Sequence, residues 1–243
     1  MVEGECIRKV KEKFAKVLSG YNFKQEKIKI KAKSLTSQQA IGNPQENDYP
    51  LLKGKEQIMQ AQFKDSFGQA FTDMYGDYEG TLSQIMEMKL NDNFRQAIFI
   101  STLNAVLRHL KIVDKTVHCK DNEPKECSKK LALYLKKNFA RPKIAIVGFQ
   151  PRMVETLTDC FPVKVTDLDC DNVGKEKFGI KIQGADKTGE NLKWCDVALV
   201  TGTTIVNNTI DKMLSCKNVI FYGVTIRGAA TLLGLNQFCP LGK

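Results

Sequence analysis

Between Val197 and Ser215 the chain is apolar through Val200, breaks at Thr201-Gly202-Thr203-Thr204, and then places Ile210, Met213 and Leu214 at helical intervals. This pattern predicts a strand covered on both faces, a tight polar turn and a helix over 207–215. The same alternation predicts strands at 144–147, 163–167 and 219–224 and helices at 153–160 and 229–235, which together read as a mostly parallel, helix-flanked sheet. Upstream, Val2, Cys6, Ile7, Val10, Phe14, Val17 and Leu18 share one face of an amphipathic helix that Gly20 stops. Ile28, Ile30 and Ala32 alternate with lysines as a half-exposed strand, a loop rich in Gln, Asn, Gly and Pro follows over 37–50, and residues 57–72 have strand character. Asn91 and Asp92 can cap a long helix containing Phe94, Ala97, Ile98, Leu103 and Leu107, and another helix runs from about Pro124 to Lys137. Asn104, among those apolar positions, reads as a structural hydrogen-bonding residue more readily than as a ligand contact. The fold class is therefore α/β, a mostly parallel sheet preceded by a smaller α+β unit.

The 243 residues are enough for one large or two smaller domains. No apolar run approaches the roughly 20 residues of a membrane span, and the charged N-terminus does not read as a signal peptide, so no membrane partner is expected and the localisation is cytoplasmic. Eight cysteines without a secretion signal read as thiols in a reducing compartment. The net charge of +10 raises nucleic acid as a partner, but the lysines are dispersed among acidic residues and no zinc-finger, RNP or arginine-rich segment organises base contacts. The charge fits a solvated surface that favours anionic ligands, and an oligomer is left open.

The chemistry is expected at strand ends. In open α/β sheets ligands collect outside the carboxyl ends of strands, where unpaired N–H groups face them. Thr201, Thr203 and Thr204 offer hydroxyls, Gly202 allows close backbone approach, and Asn207 or Asn208 can cap the next helix; equally, these residues can serve only to turn the chain. On this reading Gly202→Val abolishes ligand binding and leaves the fold intact. Gly148-Phe149-Gln150-Pro151-Arg152 ends the preceding strand at the same edge, with Arg152 as a fixed positive charge, and Thr225 closes one side. Neither GxGxxG nor GxxxxGKS is present. Asp167, Asp169 and Asp171 alternate after a strand. A calcium loop fails because Asn172 and Phe178 stand where Gly and Glu are needed. A ribose-holding carboxylate, an acidic phosphotransferase pair and a simple capped loop remain open. For a metal, His118, Cys119 and Cys127 lie in one segment, with Cys170 and Cys239 as completions of a four-ligand set, although no CxxC occurs. Cys160, Cys195 and Cys216 read as small buried hydrophobes. No nucleophile–base pair is apparent, so catalytic residues are unassigned.

The run 201–210, TGTTIVNNTI, with VGFQP at 147–151, Asn104-Ala105, GQAFTD at 68–73, TVHC at 116–119 and QFCP at 237–240, resembles the Rossmann-like heavy-metal chelation domain family. The resemblance implies a Rossmann-like domain over 92–243 and a small domain similar to the enolase N-terminal fold over 1–91. It also implies handling of a transition metal or a metal-containing cofactor, linked to anaerobic corrinoid metabolism. Two functions are carried forward: binding of a metal ion or an anionic metal-containing small molecule in the Rossmann-like cleft, and an enzyme acting on a nucleotide-like or phosphorylated substrate in the same cleft. A nucleic-acid binder ranks third.

Overall fold

The computed structural model describes residues 4–31, 42 and 56–243. Val2, Ala32 and almost all of the expected loop 37–50 lie outside the described residues. The first helix, α1 (Glu5–Leu18), buries Cys6, Ile7, Val10 and Phe14 on the predicted face. The Lys-alternating stretch forms β1 (Lys27–Lys31). Residues 57–72 fold as a hairpin of β2 (Gln57–Phe63) and β3 (Ser66–Thr72), and Lys64 takes the left-handed conformation (φ 52°) that reverses the chain. With β4 (Tyr78–Thr81) these strands form an antiparallel sheet in the order β3-β2-β1-β4. A short helix, α2 (Leu82–Glu87), begins with a capping box between Thr81 and Gln84.

Helix α3 (Asn93–His109) starts at Asp92, whose carboxylate accepts the Arg95 N–H at 2.8 Å. Every residue from Gln96 to Leu107 is buried. The helix lies between the antiparallel sheet and a helix of the C-terminal half, so it has no solvent face. Helix α4 (Glu123–Phe139) precedes the second sheet, with Pro124 in its first turn.

The C-terminal half alternates β5 (Ile144–Val147), α5 (Pro151–Thr158), β6 (Val163–Asp167), a small hairpin of β7 (Glu176–Lys177) and β8 (Ile180–Lys181), β9 (Gln183–Gly184), α6 (Thr188–Trp194), β10 (Val197–Thr201), α7 (Ile210–Met213), β11 (Val219–Tyr222), α8 (Arg227–Leu233) and β12 (Gln237–Phe238). Six of these strands form an all-parallel sheet in the order β12-β11-β10-β5-β6-β9. Renumbered within this half, the order is that of doubly wound dinucleotide-binding sheets, 3-2-1-4-5-6. Its faces follow the period of two. Ala198, Val200 and Phe221 join one apolar cluster with α1, α3 and the antiparallel sheet, while Val197, Leu199, Ile220 and Ile146 pack with α4 and α5.

The structure differs from the sequence expectation in two respects that bear on the C-terminal half. The two-residue strands β7, β8, β9 and β12 are too short to leave a periodicity. The helix expected over 207–215 shrinks to the four residues of α7, preceded by a 3-10 turn at Gly202–Ile205. The cause is local: the Asn207 side chain accepts both the N–H (3.3 Å) and the hydroxyl (2.6 Å) of Thr209, and Asn208 sits at φ 59°. Such side-chain bonds give the backbone an alternative to the helix. Among the described residues no helix is long and apolar enough to cross a membrane.

Candidate functional site

β5, β6, β10 and β11 all end on one edge of the parallel sheet. The turns that follow them, together with the end of β3, enclose a cleft of about 510 Å³. The cleft lies over the junction of β5 and β10, where the strand order reverses and the flanking connections diverge to leave a crevice. Of the expected ligand residues, Gly148, Phe149, Gln150, Asp167, Asp169, Thr201, Gly202, Thr203, Thr204, Asn207 and Thr225 line it. Pro151 and Arg152 do not. The Arg152 guanidinium is buried, donates to Glu155 at 2.7 Å and lies over the Phe178 ring at 5.6 Å, so its charge is committed away from the cleft.

The floor is built by close packing. Gly148 adopts φ 92°, and a Cβ there would meet Thr201 Cγ2 at 2.8 Å and the Tyr222 hydroxyl at 3.0 Å. That hydroxyl donates to the carbonyls of Gly148 (2.7 Å) and Val147 (3.2 Å), tying β11 to the first turn. At the threonine turn, the Thr201 hydroxyl oxygen accepts the Thr203 N–H at 3.4 Å and Thr204 donates to the Thr201 carbonyl at 2.7 Å. The turn thus spends part of its hydrogen-bonding capacity on itself while still facing the cleft. The expectation for Gly202 is corrected: a Cβ there would meet the Ile226 backbone nitrogen at 2.8 Å, so Gly202→Val disrupts packing against the turn before α8 rather than ligand approach alone. Thr225 also has a structural bond, its hydroxyl oxygen accepting the Phe71 N–H at 3.1 Å.

One wall is acidic. Asp167, at the end of β6, accepts the Phe149 N–H on one carboxylate oxygen (2.5 Å) and the Asp169 N–H on the other (2.6 Å); burial nonetheless raises its pKa. Glu56 is pushed up to about 7, first by burial and then by the charges of Asp167, Asp73 and Asp169. Asn93 donates to Asp73 at 2.7 Å. Against these four carboxyl groups, the one Lys or Arg side chain among the described lining residues is Lys212. Among the described lining residues, acidic groups thus outnumber the cation.

The other wall carries sulfur and imidazole. His118, Cys119, Cys127 and Cys239 all line the cleft, whereas Cys170 is exposed outside it. Burial pushes Cys127 to about 12, raises Cys119 and Cys239 as well, and lowers His118 to about 4. At neutral pH this wall is uncharged, a row of thiols rather than thiolate ligands. Among the described residues no group of three or more His, Cys, Asp or Glu side chains is placed to hold a metal ion. The five-residue metal set read from the sequence is thus not assembled: four members share a wall without converging on a common point, and the fifth faces solvent. The described residues do not form a closed metal centre by themselves.

Among the lining residues that sequence reasoning did not assign are Glu56, Phe71, Thr72, Asp73, Asn93 and Tyr222. The run 68–73 was visible as part of the family resemblance, but nothing in its spacing says that β3 reaches across to the parallel sheet.

The Glu56 environment makes a prediction for stability. Its folded-state pKa stands above its unfolded value of about 4.5, so the native state binds the extra proton and stability is lost as pH rises from about 4.5 through 7. Glu56→Gln should raise the melting temperature at pH 8 and change it little at pH 4. A uniform effect across a pH series of thermal melts would show that the carboxyl is not buried among like charges.

Residues 132–234 match the model of the DUF364 family, described as "Putative heavy-metal chelation". Two solved structures of proteins with unknown function from that family resemble the chain. One, from Pyrococcus horikoshii, has a TM-score of 0.57 at 15% identity and covers 90% of this chain and 79% of its own. The other, from Desulfitobacterium hafniense, has a TM-score of 0.51 at 12% identity and covers 73% of this chain and 72% of its own. No curated protein matches. At these identities the likeness concerns the fold.

Proposed function

We propose, from a chain whose residues 132–234 carry the DUF364 domain, that its role is to bind a small organic molecule in the crevice over β5 and β10. Any metal involved arrives with that molecule rather than being held by the protein alone. One observation carries the reading: the turns after four parallel strands converge on a single cleft at the point where strand order reverses, and a cleft of about 510 Å³ suits a small-molecule ligand. The family description suggests heavy-metal chelation. A metal bound within an organic ligand is compatible with a wall of neutral thiols and imidazole, since such a metal needs few protein donors. The corrinoid association is not part of the proposal.

The reading is tested by filling the cleft. Thr203 is half-buried on its wall, and Thr203→Trp should abolish small-molecule stabilisation in a thermal-shift screen while leaving the apo melting temperature nearly unchanged. Elemental analysis of the purified chain after exhaustive dialysis should show no stoichiometric metal. A tightly held ion in a chain free of organic ligand would overturn the reading.

The second reading, an enzyme acting on a nucleotide-like substrate in the same cleft, draws on Glu56. A carboxyl that titrates near neutrality within a cleft is suited to moving a proton. Turnover that follows the ionisation of Glu56 and is lost in Glu56→Gln, with binding retained, would favour it.

A further inference from the structure

Several hydrogen-bond acceptors on this cleft keep capacity for a further donor. Asp167 receives one N–H on each oxygen, and a carboxylate oxygen has room for a further donor. Asn93 gives its amide N–H to Asp73 while its carbonyl oxygen is buried without a partner, and the His118 Nδ1 is likewise buried and unpartnered. Both residues line the cleft. An unpaired buried acceptor is costly to the fold, and a guest that donates to it removes that cost.

Groups suited to an anion, by contrast, are in part committed within the protein. Helix α5 opens with Pro151, which has no N–H, and the Gln150 side chain accepts the Met153 N–H at 2.6 Å. The helix after β10 has four residues, and the turn before it bonds to itself. Arg152 is held by Glu155. A phosphate would face Glu56, Asp73, Asp167 and Asp169 with Lys212 as its lone cationic partner among the described lining residues.

Position adds a third constraint. Asp167 ends the second strand of a sheet ordered 3-2-1-4-5-6, next to the turn after the first strand. In sheets of this order a carboxylate at that place accepts hydrogen bonds from ribose hydroxyls.

We infer that the cleft takes a nucleoside-type ligand that carries a positive charge and no phosphate, with its vicinal diol on Asp167 and its cationic end toward Glu56 and Asp73. The inference rests on the small-molecule reading above and names the class of molecule.

Calorimetric titration of the full chain at fixed ionic strength tests it with three probes that share one base and sugar: 5′-amino-5′-deoxyadenosine, adenosine and adenosine 5′-monophosphate. The amine should bind roughly tenfold or more tighter than the monophosphate, because the sign of the charge at one end is reversed against the same carboxyls. The 2′-deoxy form of the amine should lose roughly tenfold, and Asp167→Asn should erase that ribo-over-deoxy preference while keeping the order of amine over monophosphate. Should the variant not fold, the probe comparisons on the unaltered chain decide alone. Monophosphate binding as tightly as the amine, or tighter, overturns the inference. If none of the three probes binds while other small molecules stabilise the chain and Thr203→Trp removes that effect, the inference falls and the cleft reading stands. If no small molecule stabilises it, both fall.

Discussion

Asn104→Ala lowers the unfolding free energy by about 4 kcal/mol, seen as a fall of roughly 10 °C in melting temperature and an earlier urea midpoint at unchanged slope. The magnitude follows from what the side chain holds. Its amide donates to the carbonyls of Gln69 (3.0 Å), Thr225 (3.1 Å) and Val224 (3.3 Å), and its oxygen accepts the Gly228 N–H at 2.8 Å. All of this is fully buried. One side chain on α3 therefore joins β3 of the antiparallel sheet to the turn that starts α8 of the parallel half. Alanine leaves these backbone groups without that partner where water does not reach, and loss of a buried network is among the few mechanisms that give changes this large. Thr225 and β3 both border the cleft, so ligand binding should weaken together with stability. A loss below about 1 kcal/mol would mean that the backbone groups find other partners and that the joint is held by apolar packing alone.

Gly68→Ala should be of similar severity, costing about 3 kcal/mol or more and reducing the yield of folded protein. A Cβ on Gly68 would lie 2.2 Å from the Ala105 nitrogen and 2.4 Å from the Ser101 carbonyl oxygen. These are helix backbone atoms, which cannot rotate aside as a side chain can. The methyl group must push β3 away from α3, and that displacement breaks the register that lets Asn104 reach the Gln69 carbonyl. Urea unfolding of the purified variant measures the effect. Wild-type stability would require the strand and helix to sit farther apart than the glycine contact implies. The two substitutions act on one contact, so their effects should fall short of additive in the double variant.

Much of the architecture was legible in the sequence because it rests on local periodicity. The face of α1, the β5, β6 and β10 strands, the cap at Asp92 and the structural role of Asn104 all follow from patterns within a few residues. That the turns after β5, β6 and β10 share a neighbourhood was legible for a different reason: parallel strands end on one edge, so polar residues at their carboxyl ends line a common cleft. Where short-range chemistry competed, the reading failed. The Asn207-Asn208-Thr209 run folds into its own turn and ends what apolar spacing suggested was a helix.

The charge of the site was not legible. Arg152 follows the first turn directly, yet the first turn of α5 swings it to Glu155 and Phe178. Glu56 and Asp73 belong to the antiparallel half, and only the packing of β3 beside the β11–α8 turn carries them to the cleft. Cysteine counting had the same limit. Burial leaves His118, Cys119, Cys127 and Cys239 along one wall as neutral groups, and ligand geometry depends on directions that spacing does not encode.

By itself, then, the sequence determined the longer helices and strands and that the second half is a mostly parallel, helix-flanked sheet, because hydrophobic periodicity acts locally. The tertiary structure alone decided which carboxyl groups gather among the described residues of the cleft, since these are far apart in the chain and meet only when β3 docks on α3 through Gly68 and Asn104.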